Sequence, residues 1–131
     1  MTIAKESPAV TVARAHALAW SNHDFAAARA ALAPDVGVMV TSTNDALPST
    51  DLTGIDAYMQ GLEEFARGVV PGTLVVNATL GDEHNALLMV TVEAAFGPDA
   101  PRVTLPAARL YLLDENGKIK AERVVFFAAP N

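Results

Sequence analysis

Four side chains in this sequence have the types and spacing to move a proton: Glu122, Arg109, Tyr111 and His16. Three of them fall in one stretch, ARLYLLDENGKIKAERVVFF, where two apolar runs flank an Asn-Gly pair. Asn-Gly in that setting is the strongest short hairpin signal, because a two-residue type I′ turn needs positive φ at both positions. With Asn116-Gly117 as the turn, Glu115 faces Lys118, Tyr111 lies opposite Glu122, and Arg109 lies opposite Val124. Strand alternation then gathers Arg109, Tyr111 and Glu122 on one face, with Leu110, Leu112, Ala121, Arg123, Val125 and Phe127 on the other. A three-residue turn would set Arg109 against Arg123, a repulsive pair. The two-residue turn is the better register. A carboxylate so placed is an acid/base candidate, since burial and a neighbouring guanidinium pull a carboxyl's proton affinity in opposite directions. Two readings of the trio stay open. It is a solvated ion pair worth under about 1 kcal/mol, or it lies inside a concave sheet and orients a ligand.

His16 follows Ala13 by three residues and precedes Trp20 by four, which puts all three on the inner stripe of a helix. A histidine there is either packed beside the indole or a fourth catalytic group. Trp20 and Tyr58 suit cavity walls, and Val124 and Phe126 share the Glu122 face, so these four are the candidate ligand contacts. His23 and His84 read as turn residues. The histidines lack the i, i+4 pairing or clustered carboxylates of a metal site. No G-x-S-x-G elbow, phosphate loop or dinucleotide fingerprint occurs. The expectation is therefore no cofactor and no metal: acid/base chemistry or plain binding.

These residues need elements to hold them. Ser7-Pro8 is a helix start, with a hydroxyl N-cap before a proline whose missing N–H costs nothing there. Val10, Ala13, Ala17 and Trp20 recur at helical spacing behind it. Asp24 can cap a second short helix, FAAARAAL, which Pro34 should stop. DVGVMVTS reads as a strand and TNDALPSTDLTG as loop. A third helix carries Ile55, Tyr58, Met59, Leu62, Phe65 and Ala66 on one stripe, with Gly68 at its end. Four strands follow, TLVVNATL, NALLMVTVEAAF, VTLPAARLYLL and KIKAERVVFF, and Pro106 predicts a bulge or an edge in the third. Helices first and adjacent strands last predict an α+β fold with an antiparallel sheet.

The chain has 131 residues, about the modal domain size. Its formal charge of -6 argues against nucleic acid, whose phosphates require clustered Lys and Arg. No apolar run reaches the roughly 18 residues of a membrane span, and MTIAKESPAV has no apolar segment of signal-peptide length. Cysteine is absent, which fits a reducing cytoplasm. Half the residues are hydrophobic (51%) and mean hydropathy is +0.25, an excess that suggests a second buried surface, a homodimer interface. The alternative is an alanine-rich core.

The order helix, short helix, strand, helix, four strands resembles the nuclear transport factor 2-like (cystatin-like α+β) superfamily. ALAWSNHDFAAARAALAPDV, LTGIDAYMQGLEEFA and ENGKIKAERVVFF look like its SnoaL-like branch. The resemblance implies one SnoaL-like domain over residues 1–131: a curved antiparallel sheet wrapped around N-terminal helices, with a cone-shaped apolar cavity. Matched to the steroid isomerases of this superfamily, the first-helix phenol position falls on His16 and the first-strand carboxylate near Val40. The protonated-acid position falls on Arg109, and Glu122 occupies a place usually apolar. The isomerase base is missing. The fold's epoxide hydrolases use an Arg with two aspartates, one just after the last strand's aromatic pair; here Phe127 or Ala128 stands in its place. Polyketide cyclases need one acid/base in a shaped cavity. The expected function is therefore a cytoplasmic binder of a small hydrophobic or polyaromatic metabolite, with acid/base turnover of cyclase or isomerase type by Glu122. The alternative is a non-catalytic dimeric or accessory module with a vestigial cavity.

Overall fold

The computed structural model describes residues 6–42 and 49–127. The element order is α1 (Pro8–Ser21), α2 (Phe25–Ala30), β1 (Leu32–Ser42), β2 (Thr50–Thr53), α3 (Ile55–Ala66), β3 (Val75–Gly81), β4 (Asn85–Ala94), β5 (Val103–Leu113) and β6 (Ile119–Phe126). This is the α+β class read from the sequence, with one strand, β2, added to the expected order. The Ser7 hydroxyl accepts from the Val10 N–H at 3.2 Å and Pro8 opens α1, while the Asp24 carboxylate accepts from the Ala27 N–H at the start of α2.

α2 stops at Ala30 rather than at Pro34. The cause is β6: the Ile119 N–H donates to the Ala31 carbonyl at 2.9 Å, so the backbone turns to strand before the proline is reached. Pro34 lies within β1, between Leu32 and Gly37, where the β1–β6 register shifts, so its missing N–H removes no ladder bond. The stretch read as loop after β1 is also corrected. Its residues 43–48 lie outside the described residues, but Thr50–Thr53 form β2, paired with Gly37–Val40. A strand of four residues is too short to show alternation. Gly68 does not act as a left-handed cap. A Cβ there would meet the Phe96 ring at 2.4 Å, so its role is close packing.

The strands form one sheet in the order β2-β1-β6-β5-β4-β3. Every neighbouring pair is antiparallel except β1 and β6, which run parallel. Register shifts in β1, in β3 and at the turn end of β5–β6 curve the sheet. Pro106 makes no bulge, and β5 is interior. Its own carbonyl accepts from the Phe127 N–H, so its donor-less side faces the place where β6 ends.

The β5–β6 turn differs from the expected one while its consequence holds. The Gly117 N–H donates to the Asp114 carbonyl and the Asp114 N–H to the Lys118 carbonyl, leaving three residues in the loop. Only Gly117 has positive φ (76°), and Asn116 does not. The register then shifts between Leu112 and Leu113, and the extra residue at Lys120 restores Tyr111 opposite Glu122 and Arg109 opposite Val124. Arg109 and Arg123 never face each other.

α1 packs on β3, β4 and β5, and α3 on β1 and β2. Trp20, Ala17, Ala13 and Val10 of α1 meet Leu88, Val90 and Val92 of β4 in the core. No helix among the described residues is long and apolar enough to cross a membrane.

Candidate functional site

Arg109 on β5 and Glu122 on β6 turn toward the helices. They are 4% and 3% exposed, which sets aside a solvated surface trio. Arg109 Nη1 donates to Glu122 Oε2 at 3.0 Å. The other carboxylate oxygen, Oε1, accepts from the Tyr58 hydroxyl on α3. His16 of α1 stands behind Tyr58. Its Nδ1–H donates to the Ala28 carbonyl at 2.9 Å, and its Nε2 lies 3.0 Å from the Tyr58 hydroxyl oxygen. Three helices and two strands thus contribute to one buried chain, from Ala28 through His16, Tyr58 and Glu122 to Arg109.

The guanidinium has aromatic partners as well. Arg109 Cζ lies 4.6 Å from the Trp20 ring centroid, with Phe126 at 5.7 Å and Phe65 at 5.9 Å. A desolvated cation over such faces gains about 2 kcal/mol from the ring quadrupole. Burial works against the Arg109 charge, yet the oxygens of Tyr111, Glu122 and Tyr58 outweigh it and hold its proton more tightly than usual. Burial, and then the Glu122 carboxylate, push the Tyr58 and Tyr111 phenols well above their ordinary range. Burial also holds the His16 ring below the usual histidine value, partly offset by Glu122.

Over this pair opens a cavity of about 580 Å³. Its walls include Val38, Val40, Leu52, Phe65, Phe96, Val124 and Phe126, and Tyr58, Arg109 and Glu122 supply the polar floor. That volume lies in the range of small-molecule sites, roughly 300–1,000 Å³.

Of the residues singled out by sequence, Glu122, Arg109, Tyr58, Val124 and Phe126 line the cavity. His16, Trp20 and Tyr111 sit behind it, each buried. Tyr111 lies directly across the ladder from Glu122 yet does not bond its carboxylate. Its ring stands edge-on to His16 at 6.0 Å, and its hydroxyl has no hydrogen-bond partner among the described residues. Tyr58, read as a wall, takes that place. The walls Leu52, Phe65 and Phe96 were missed as site residues; the apolar stripe that placed Phe65 on α3 carries no mark separating cavity from core. His23 and His84 are turn residues, as expected. The described residues hold no group of three His, Cys, Asp or Glu that could bind a metal.

A family model described as the SnoaL-like domain matches residues 12–122. No curated protein matches the chain by sequence. Among solved structures, a protein from Kribbella flavida DSM 17836 is similar at 27% identity and a TM-score of 0.74, covering 92% of this chain and 88% of that one. A Mycobacterium tuberculosis LEH-like epoxide hydrolase is similar at 23% identity and a TM-score of 0.68, covering 91% and 82%. A second M. tuberculosis protein, crystallised with estradiol-17β-hemisuccinate, is similar at 14% identity and a TM-score of 0.74, covering 91% and 93%.

Proposed function

The chain belongs to the SnoaL-like domain family, and from that premise we propose that it binds a small hydrophobic or polyaromatic metabolite over Glu122. One observation carries this reading: a buried, hydrogen-bonded carboxylate forms the floor of an apolar cavity of about 580 Å³. Glu122 would be the acid/base of a cofactor-free reaction of cyclase or isomerase type. Arg109 and Tyr58 hold its two oxygens, while His16, Trp20 and Tyr111 support them from behind. Val124 and Phe126 would contact the ligand. The epoxide-hydrolase pattern fits less well, because Phe127 stands where the second aspartate is expected and Ala128 lies outside the described residues. The accessory-module alternative needs a collapsed interior, and a cavity of this size stands against it. A cytoplasmic location belongs to the same proposal, supported by the cysteine-free composition.

A homodimer is part of the proposal too. The face of β5 and β6 turned away from the helices exposes Leu110 and Val125, with Phe127 exposed just past the end of β6, and a second copy would cover them.

The ligand reading is tested with an apolar fluorescent naphthalene probe and a Val124→Trp variant that fills the cavity. Wild type should bind one probe per chain, and the variant should bind at least tenfold more weakly. Equal affinities would place the probe elsewhere and remove the reading.

A further inference from the structure

Hydrogen bonds can be counted along the buried chain, and the count does not close with ordinary protonation states. The Ala28 carbonyl can only accept, so His16 Nδ1 must carry a hydrogen. A neutral imidazole then presents a bare lone pair at Nε2, 3.0 Å from the Tyr58 oxygen. Tyr58 has one hydroxyl hydrogen and two acceptors facing it, Nε2 of His16 and Oε1 of Glu122. One of the two contacts would set lone pair against lone pair. His16 is 1% exposed and Tyr58 2%, so no bulk water relieves that clash. One further hydrogen completes the row. It sits on His16 Nε2, with Tyr58 donating to the carboxylate, or on Glu122, with Tyr58 donating to His16; the two forms differ by moving two hydrogens along the same contacts.

We propose that His16, Tyr58 and Glu122 jointly hold one proton beyond a neutral imidazole, a phenol and a carboxylate, which makes the resting cavity a proton donor with one net positive charge once Arg109 is included. His16 and Tyr58 are then positioning residues that store the proton, and Glu122 delivers it. The transfer balances in three exchanges. The Nε2–H bond of His16 breaks as an O–H forms on Tyr58. The original Tyr58 O–H breaks as one forms on Glu122, and the Glu122 O–H breaks as one forms on an oxygen of the ligand. His16 ends neutral with a hydrogen still on Nδ1, donated to the Ala28 carbonyl, Tyr58 ends as a phenol, and Glu122 as a carboxylate. The charged and titratable groups facing His16 are Tyr58 from α3, Tyr111 and Arg109 from β5, and Glu122 from β6. Burial lowers the proton affinity of His16 taken alone, and the row of contacts to Tyr58 and Glu122 opposes it, so the set holds or releases its proton as a unit rather than as one histidine. The positive floor fits an apolar molecule bearing an electron-rich or anionic oxygen, a refinement that rests on the ligand reading above; the proton count does not.

The count is read without any ligand. Folding should take up a proton above the free histidine value of about 6.5, so the folding constant of the wild type should fall tenfold per pH unit until the set releases it. Glu122→Gln supplies an amide N–H to Tyr58 and closes the row with no extra proton, so its profile should lack that slope. In the wild type, the proton should be seen on His16 in ¹⁵N spectra or on the Glu122 carboxyl in ¹³C spectra, and in the variant His16 should stay neutral. Parallel stability profiles, or a wild type that carries the proton on neither residue, would overturn the proposal. Should the variant fail to fold, the wild type decides alone: refolding unbuffered near about pH 8 takes up one proton per chain, or the proposal is wrong. In the second arm, 2-naphthoate should bind the wild type tenfold more weakly per pH unit as the set deprotonates, and Glu122→Gln independently of pH. If naphthalenes do not bind at all, the ligand reading fails while the proton count stands on the first arm.

Discussion

At Arg109 a single charge is held by one carboxylate and a set of aromatic rings, and removing the carboxylate alone isolates its contribution. Glu122→Leu strands a guanidinium that is 4% exposed, and should lower stability by about 3–5 kcal/mol. Glu122→Gln keeps an oxygen for Arg109 and should cost less than about 1.5 kcal/mol in the same urea melts. Equally small costs for the two variants, under about 0.5 kcal/mol, would mean that the pair contributes little. The alignment of Arg109, Tyr111 and Glu122 was legible in the sequence, because period-two alternation and a nearby turn fix faces without any knowledge of the fold. The partner of Glu122 was not legible. Tyr58 lies 64 residues away, and an aromatic on a helical stripe gives no sign of what its hydroxyl meets. His16 was placed on the right stripe, but its Ala28 contact depends on how α2 folds back on α1.

The hairpins show what single elements contribute. Asp82 lies at the β3–β4 turn, where Oδ1 accepts from the backbone N–H groups of His84 and Asn85 at 2.9 and 2.8 Å. Those bonds, His84 first, hold its carboxyl below the usual range. A lowered folded value means the stabilisation is complete above the ordinary carboxylate value of about 3.9 and is lost as pH falls through the folded one. Between about pH 6 and pH 3 the wild type should therefore lose more stability than Asp82→Ala. A larger loss in the variant would contradict the assigned direction. Next to it, a Cβ on Gly81 would meet the Asn85 carbonyl at 2.5 Å and Val10 Cγ2 at 2.7 Å. Gly81→Ala should cost about 1–3 kcal/mol as α1 and the turn are forced apart, seen as a lowered Tm with unchanged β content. α1 was readable from its Ser7 cap and its period, and α3 and the last four strands from their periods, because these signals are local. The β5–β6 turn was misread, yet its register survived because a bulge absorbed the residue that the longer loop added. β2 escaped because its partner strand, rather than its own composition, makes it a strand.

For the molecule as a whole, the outer sheet face sets the first question. Leu110, Val125 and Phe127 are each more than a third exposed, and a second copy packed there would withdraw them from water. Phe127→Arg should convert a dimer to monomer, or to aggregate, in sizing with light scattering, while a wild type that is monomeric at micromolar concentration would exclude the dimer. The other consequence comes from the parallel pairing of β1 with β6. The last strand enters the sheet between the first and the fifth, so it is an interior member and not an edge. A nascent chain leaving the ribosome therefore holds two unjoined pieces, β2-β1 and β5-β4-β3, until β6 emerges. Joining them needs contacts between distant parts of the sequence, which folding makes slowly. Over that interval Arg109 has no carboxylate, so a premature closure of α1 over β5 would trap a bare cation and is disfavoured. The strand that completes the sheet also delivers Glu122, and a chain interrupted before residue 119 would have neither the closed sheet nor the acid.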